Sequence, residues 1–334
     1  MFAYLVRRVL FSLPIVLGVM LLTFFLFFVV QSPEAMARRV LGPKASPQTV
    51  QTWLSNRGYD KPLMWAPRRA DQGWSDYLAS GEWRNSLFIS QMIRLATFDL
   101  GTSDVTGRPL KDVFATGALP SLLITVPSFV IGLLLSLAIA LYLVYVRNSF
   151  LDLGGVLLCV ALMSVPVMVY IIFGQWFTAQ VLNYFPAFGF NMEGFGTARF
   201  LLLPVAQMVV SGLGADVRMF RALLLEEMGQ DYIRTARAKG VSNAGVLMRH
   251  LLKNGLINLI TLVVASLPLL IMGSLVIENF FGIPGLGNVL FSAIQAPDFA
   301  VVQASVFLGS LLYLGGLVLT DLCYAWADPR IRLG

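Results

Sequence analysis

The side chains that most often perform chemistry in proteins are few and scattered in this sequence. It contains one histidine, His250, and two cysteines, Cys159 and Cys323, which both lie in apolar runs. One histidine cannot build a Cys/His or multi-His metal site, and two thiols in apolar surroundings indicate neither a metal cluster nor a disulfide framework. The sequence also lacks a P-loop pattern, a G-x-S-x-G pattern and paired carboxylates inside its apolar runs. We therefore expect no metal, no bound ATP and no catalytic residues in this chain.

The most informative polar residues form one basic segment, residues 226–254, with the sequence EEMGQDYIRTARAKGVSNAGVLMRHLLKN. Within it, apolar residues recur at helical spacing in two short stretches, one around Ile233 and one around Val246. Gly240 is placed to end the first helix in a left-handed turn, and Ser242 to cap the second. The basic segment therefore predicts two short helices joined by a bend.

The first predicted helix has a polar face and a strip with little side chain. Gln230, Arg234 and Arg237 share one face, at positions i, i+4 and i+7. Ala236 and Gly240 would let the backbone of another protein approach closely. The excess of basic residues in inner loops of membrane proteins explains the charges but not this shape. We interpret the segment as a docking element, with an ordinary basic loop as the alternative.

The elements that must position this segment are membrane helices. The chain has 334 residues, of which 57% are hydrophobic and 13% charged, and its mean hydropathy is +0.76. These values lie outside the range of soluble domains and predict an all-α polytopic membrane protein. The first apolar run is longer than the apolar region of a signal peptide, so we count it as a span. Six transmembrane helices are predicted, at residues 9–30, 119–146, 153–182, 200–215 with an amphipathic tail at 216–224, 256–277 and 299–320.

The distribution of Lys and Arg predicts the orientation. Twelve of the 24 basic residues lie at the termini and in short loops on the side of the basic segment, whereas Arg199 alone lies in the short loops opposite. Because basic residues are enriched in cytoplasmic loops, both termini and the basic segment should be cytoplasmic. The predicted parts are residues 1–31, an external loop region at 32–117, and a five-helix core at 118–334 with a cytoplasmic coupling loop at 225–255. Asp216 and Asp321 close predicted spans, so we expect both at the interface.

The long loop at 32–117 contains one clear helix signal. Ser46 and Pro47 are a cap and a first helical position, and apolar residues follow at helical spacing up to Arg57. The loop also carries four tryptophans, which we interpret as membrane anchors, with a ligand-binding role as the alternative. They are Trp53, Trp65, Trp74 and Trp83.

The last predicted external loop, residues 278–298, concentrates turn-forming residues. Gly282, Pro284, Gly285 and Gly287 lie within six positions, and the loop contains no Lys or Arg. This composition predicts a defined turn rather than a helix.

Several stretches resemble one family in order along nearly the whole chain. QDYIRTARAKGVS followed by LMRHLLKNGLINLIT resembles the cytoplasmic loop of permease subunits of bacterial ABC importers, in the branch for peptides and nickel. YLVRRVLFSLPIVLGVMLLTF is similar to the first span of that family, and RGYDKPL and FDLGTS with RPLKDVF to its external loop. ENFFGIPGLGNVLFSAI and DPRIRLG resemble its last loop and tail.

The resemblance implies a coupling loop that sits in a groove of an ATP-binding subunit. Arg234 stands where the wider family often has glutamate, a substitution usual in the peptide branch. Gly255 and Asn258 replace an expected alanine and proline, and residues 65–88 look inserted. The positions matching the coupling loop are Asp231, Tyr232, Arg234, Thr235, Ala236, Arg237, Ala238, Lys239 and Gly240.

The resemblance also implies the partners. They are a second homologous permease, two ATP-binding subunits that hold ATP and Mg²⁺, an external substrate-binding protein and the lipid bilayer of the bacterial inner membrane. No cofactor in this chain and no nucleic acid are expected. The turn at Gly282, Pro284, Gly285 and Gly287 either faces the binding protein or is an ordinary hairpin. The cargo, whether peptide, nickel chelate, opine or oligosaccharide, stays open.

Other functions fit the residues less well. A secondary transporter or channel working alone usually carries ionisable residues inside its spans, but predicted spans one, two, three and five have none. A membrane enzyme lacks its motifs, and a DNA-reading helix pair tethered between spans could hardly reach a DNA groove. The sequence therefore favours a permease subunit, with the stand-alone transporter as the alternative.

Overall fold

A computed structural model describes residues 2–67, 73–191 and 196–327. In these ranges the chain is helical, apart from turns and one isolated bridge between Thr102 and Pro109. Some expectations lie outside the described residues. They concern residues 68–72 of the inserted segment, residues 192–195, the tail 328–334, and the side chains of Asn258, Asp321 and Cys323.

The chain divides into two compact units. The first comprises Met1–Thr116 and Val289–Leu314, and the second comprises Gly117–Asn288 and Gly315–Gly334. The helices that begin in the first unit before residue 110 are α1 (Phe2–Phe24, extended by a π-helical turn at Phe25–Val30), α2 (Pro33–Leu41), α3 (Pro47–Arg57), α4 (Trp74–Ser80) and α5 (Leu87–Ala96), with a 3₁₀ turn at Glu82–Arg84.

Helix α3 confirms the local prediction made from Ser46 and Pro47. Ser46 Oγ accepts a hydrogen bond from Thr49 N at 3.1 Å, and Pro47 occupies the first turn. Trp53 is only 6% exposed and packs in the apolar core of this unit, with the Arg57 guanidinium 4.2 Å from its ring centroid. The membrane-anchor interpretation is therefore wrong for Trp53, because its ring is buried within the unit and cannot contact lipid.

A pair of buried aspartates organises the first unit. Asp104 accepts hydrogen bonds from Arg57 Nε at 2.9 Å and from Ala300 N at 2.9 Å. Asp298 accepts one from Asp104 N at 3.0 Å and another from the Ser103 hydroxyl. Burial raises the pKa of the Asp104 carboxyl, and its hydrogen bonds oppose that rise. These contacts join α3, the chain after α5, and the segment that follows residue 288.

The remaining helices carry the chain from residue 110 to residue 327. They are α6 (Leu110–Tyr145), α7 (Phe150–Met163), α8 (Val167–Gln175, extended by a π-helical turn at Trp176–Val181), α9 (Gly196–Glu227), α10 (Asp231–Ala238), α11 (Asn243–Gly245, extended by a π-helical turn at Val246–Leu251), α12 (Leu252–Met272), α13 (Leu275–Phe281), α14 (Leu286–Gln295) and α15 (Phe299–Ala327).

Among the described residues, four helical segments are long and apolar enough to cross a membrane singly. They are Leu10–Val30, Leu110–Tyr145, Ala198–Glu227 and Phe299–Thr320. Two further spans are obtained only if each of two bent helix pairs counts as one, which gives a range of four to six. Helix α12 coincides with the predicted fifth span but ends at Met272, because Gly273 leaves the helical conformation with φ +75°.

The predicted third span at 153–182 is broken into two helices and counts as one span only if the two are taken together. That region forms α7 and the helix Val167–Val181, which meet at 87°. Pro166 causes the break: it lacks the amide hydrogen that would continue the helix, and its ring disfavours helical geometry at the residue before it. The carbonyl of Leu162, to which an amide at position 166 would donate, accepts instead from the Tyr170 hydroxyl at 2.7 Å, and this bond closes the end of α7.

The second unit is held by a core that joins α6, α7, α9, α10 and the turn leading into α12. Its fully buried members include Ala140, Val217, Ile233 and Leu251. Helix α7 is fixed to α9 by a two-pronged ion pair, with Arg221 Nε and Nη2 lying 2.9 and 2.8 Å from the Asp152 carboxyl oxygens. Cys159 is a free thiol buried in this core.

Candidate docking site

Helix α10 is amphipathic and is attached to the second unit by its apolar face. Ile233 is 0% exposed and Ala236 5% exposed, and both belong to the core that includes Val217 and Leu224 of α9. The orientation of the helix is therefore set by core packing. We call residues 231–240 the docking segment.

The docking segment ends in the left-handed turn that the sequence predicted. Gly240 has φ +81°, and its N–H donates to Arg237 O at 2.9 Å. Val241 N donates to Ala236 O at 3.2 Å, which completes a Schellman motif. Only glycine adopts this conformation without strain, so the turn follows directly from the residue type.

The second predicted helix is capped as expected but does not stay short. Ser242 Oγ accepts from Gly245 N at 3.3 Å. From there the chain continues through the π-helical turn Val246–Leu251 into α12. Likewise, Glu226 and Glu227 belong to the end of α9. The predicted first helix, bend and capped second helix are therefore present, but the second helix is not short, because it has no breaking residue before the membrane helix.

The other face of α10 is polar and open. The side chain of Arg234 is 77% exposed, and its contact with Asp231 at 3.5 Å joins two exposed groups, which contributes little stability. Ala236 points into the core, so the predicted strip without side chains reduces to Gly240. The exposed residues of the docking segment are Asp231, Arg234, Thr235, Arg237, Ala238, Lys239 and Gly240.

Tyr232 ties the start of α10 to the end of α9. Its hydroxyl donates to Glu227 Oε1 at 2.5 Å. Burial and this bond to a carboxylate raise the pKa of Tyr232 to about 12. The side chain is therefore neutral near pH 7 and keeps its proton for this bond.

A second candidate region, residues 282–287, is the glycine turn between α13 and α14. It does not occupy the whole predicted loop, since helices flank it on both sides and meet at 67°. The expectation of a turn rather than a helix across 278–298 is therefore wrong except at the turn itself. Gly282 ends α13 with φ +67°, and Pro284 is exposed at the tip.

A buried carboxyl group, which the sequence argument missed, organises the glycine turn. Glu278 is 0% exposed, and its Oε1 accepts from the Ser121 hydroxyl at 2.7 Å and from Ser274 N at 3.0 Å. Its Oε2 accepts from Asn288 N at 3.0 Å. The Ser121 hydroxyl in turn accepts from Leu286 N at 2.7 Å. One carboxyl and one hydroxyl thus satisfy amides at the starts of α13 and α14, which otherwise have no helical partner.

The two buried glycines of this turn, Gly285 and Gly287, have no room for a side chain. A methyl group on Gly285 would overlap Glu278 Oε2 and Ser121 Oγ, and one on Gly287 would overlap the backbone of Ser274. Gly285 and Gly287 are therefore required by the packing of the turn itself, and Pro284 is its exposed member. A lone acidic residue before a glycine-rich stretch was the available signal for Glu278, but nothing local identified its partner Ser121.

Helix α9 continues past Asp216 to Glu227 without a break, as the predicted amphipathic tail at 216–224 implies. Asp216 therefore lies within the helix, half-buried, and lines a cavity of the second unit.

The sequence of this chain is similar to those of known proteins. Residues 132–333 match the family described as the binding-protein-dependent transport system inner membrane component, and residues 1–68 match the N-terminal part of such membrane components. The chain belongs to this family. It is 33% identical over 335 residues to a peptide transport system permease protein of Brucella abortus, with 99% of both chains covered.

Two other relatives are similar over their full length. A glutathione transport system permease protein of Salmonella choleraesuis is 30% identical over 333 residues, with 99% of both chains covered. A dipeptide transport system permease protein of Alkalihalophilus pseudofirmus is 26% identical over 355 residues, covering 99% of this chain and 100% of the relative. The chain is thus a permease subunit of an ABC importer and a multi-pass protein of the bacterial inner membrane. A stand-alone transporter is not favoured.

Proposed function

We propose that this chain forms one half of the translocation pathway of a peptide importer. It pairs with a second, homologous permease and receives substrate from an external binding protein. Two ATP-binding subunits, which hold ATP and Mg²⁺, supply the energy, and one of them docks on residues 231–240. In this proposal the chain has six spans and both termini in the cytoplasm, so that the docking segment faces the ATPase. The relatives named for peptide, dipeptide and glutathione transport support peptides as cargo.

The observation that carries this proposal is the two-faced structure of α10. One face is polar and exposed, while the other is buried in a core shared with α6, α7 and α9. After α10 the chain continues through α11 and the π-helical turn Val246–Leu251 into α12. A force applied to the exposed face therefore acts on a packed unit, which transmits displacement because packed cores shift as units between discrete arrangements. Closure of the ATPase pair would in this way alternate the access of the pathway.

The glycine turn has a separate role in the proposal. Pro284 is its exposed tip, and the Glu278 network beneath it keeps the tip in one shape. We place this tip against the external binding protein, with Gly282 beside it and with Gly285 and Gly287 maintaining the turn from within.

The docking role is tested by reversing charge on the exposed face. In the importer complex reconstituted in proteoliposomes, Arg234→Glu combined with Arg237→Glu should lower peptide uptake and substrate-stimulated ATP hydrolysis more than about tenfold, as expected when several charged contacts of an interface turn repulsive. The variant should fold normally because both side chains are exposed.

Lys111→Glu is the matched control, since Lys111 is also exposed but lies at the start of α6. It should leave uptake and hydrolysis unchanged. Normal coupling in the double variant would show that this face does not dock the ATPase.

A further inference from the structure

The second unit contains a cavity of about 200 Å³ between α6, α9 and α12. Its walls are mostly apolar and include Phe129 and Met208, of which Met208 has a flexible side chain that adapts to its neighbours. The polar groups in the lining are the Asp216 carboxyl and the hydroxyls of Thr125, Ser128 and Ser266. No Lys, Arg or His is present among the described residues that line it.

Two of the hydroxyl groups donate their hydrogens to backbone carbonyl groups. Thr125 Oγ1 donates to Leu270 O at 2.6 Å and lies 2.9 Å from Ser121 O. Ser128 Oγ donates to Ile124 O at 2.6 Å. A hydroxyl has one hydrogen and two lone pairs, so each can offer the cavity only acceptor capacity.

Asp216 adds an acidic group to these acceptors. In the part of the chain that the structure describes, its carboxyl makes no hydrogen bond or ion pair, and it is half-buried within the span Ala198–Glu227. Acidic groups within membrane-spanning helices are costly unless they meet a partner, and they commonly mark substrate or ion pathways. The cavity therefore combines an acidic group and oxygen acceptors with no cationic side chain, which suits a guest that brings positive charge and N–H donors.

We propose that Asp216, with Thr125 and Ser128, forms a subsite of the translocation pathway that recognises cationic groups of the passing peptide. The subsite favours peptides with net positive charge, and Phe129 and Met208 tolerate different neighbouring side chains. This inference rests on the proposed function, since it names a recognition step within peptide transport. It makes this permease contribute to selectivity along with the binding protein.

The test compares three peptides of one size, Ala-Lys-Ala, Ala-Ala-Ala and Ala-Glu-Ala, as substrates of the reconstituted complex. The readout is the ratio of uptake efficiency, Vmax/KM, between the cationic and the anionic peptide. Asp216→Asn should lower this ratio about tenfold, the effect of losing one charge-assisted contact. Because the same binding protein serves every variant, its own preference cancels when each ratio is compared with wild type.

Asp216→Glu should keep the wild-type ratio. Asp112→Asn, at an exposed carboxylate in the first turn of α6, should also keep it. An unchanged ratio in Asp216→Asn, or an equal loss for all three peptides, would overturn the subsite while leaving the importer assignment intact. Absence of uptake of all three peptides by the wild-type complex would overturn the peptide assignment and the subsite with it.

Discussion

The docking segment and the glycine turn both reverse the chain after a helix with a glycine of positive φ, but they are built in opposite ways. At Gly240, φ is +81° and no atom lies within 4 Å of the place a side chain would occupy. At the glycine turn, Gly285 packs directly on the buried Glu278 carboxyl and the Ser121 hydroxyl. Glycine is thus needed at position 240 for its backbone conformation, and at position 285 because buried groups leave no room for a side chain.

This difference fits the proposal that the docking segment receives another molecule along its polar face, whereas the glycine turn, apart from its exposed tip Pro284, is shaped by the packing of the chain itself. The polar side chains of the docking segment have few internal partners, so their types are not explained by the stability of the unit. In the glycine turn, by contrast, Glu278, Ser121 and Ser274 satisfy one another. Substitutions should therefore affect coupling in the first region and folding in the second.

The largest expected effect is that of alanine at Gly285. Its methyl group would overlap Glu278 Oε2 and Ser121 Oγ, so the hydrogen-bond network must shift or break. We expect Gly285→Ala to lower the free energy of unfolding by about 3 kcal/mol, from overpacking together with lost buried hydrogen bonds. Gly240→Ala, which meets only backbone strain, should cost about 1 kcal/mol. Thermal unfolding in detergent, followed by tryptophan fluorescence, compares the two, and equal losses would contradict the distinction.

An intermediate effect distinguishes the two faces of α10. Ile233→Ala empties a fully buried position in the core and should lower the free energy of unfolding by about 2 to 3 kcal/mol. Arg234→Ala, one residue away and exposed, should change it by less than about 0.5 kcal/mol. Relative to the free energy of unfolding that each variant loses, Arg234→Ala should lower uptake more than Ile233→Ala does. A strongly destabilised Arg234→Ala protein would mean that the polar face is structural.

The smallest effect is a pH dependence at Tyr232. Its pKa rises from the ordinary 10.0 to about 12 in the folded protein, because of burial and the bond to Glu227. The folded state therefore keeps a proton that the unfolded chain loses first. The resulting stability is complete below pH 10 and is lost as the pH rises through 12.

The midpoint temperature of thermal unfolding should accordingly fall further between pH 9 and pH 12 in the wild-type protein than in Tyr232→Phe. Tyr184→Phe, at an exposed tyrosine, should behave as wild type. Parallel pH profiles for wild type and Tyr232→Phe would refute the bond to Glu227 as a source of stability.

Local features were predictable from the sequence because their causes lie within a few residues. Ser46 with Pro47, Gly240 and Ser242 each act on the neighbouring backbone, and each turned out as expected. The break at Pro166 was also local, but the length of the surrounding apolar run outweighed it in the prediction. A proline inside an apolar run thus indicates a helix boundary, as Pro166 does here.

Contacts between distant parts of the chain were not predictable. Ser121 and Glu278 are 157 positions apart, and Asp152 and Arg221 are 69 apart. Neither pair leaves a trace in hydrophobic periodicity, which reports only which face of an element is buried. For the same reason the sequence marked Ala236 as open docking surface, although the packing of α10 turns it inward.

The most direct test of the account asks what each region touches in the assembled importer. A photo-crosslinking amino acid replaces Lys239 in one variant and Pro284 in another, both at exposed positions. Illumination of the complete complex should join position 239 to an ATP-binding subunit and position 284 to the external binding protein. Adducts of position 239 with the binding protein, or none with an ATP-binding subunit that is present, would contradict the docking assignment.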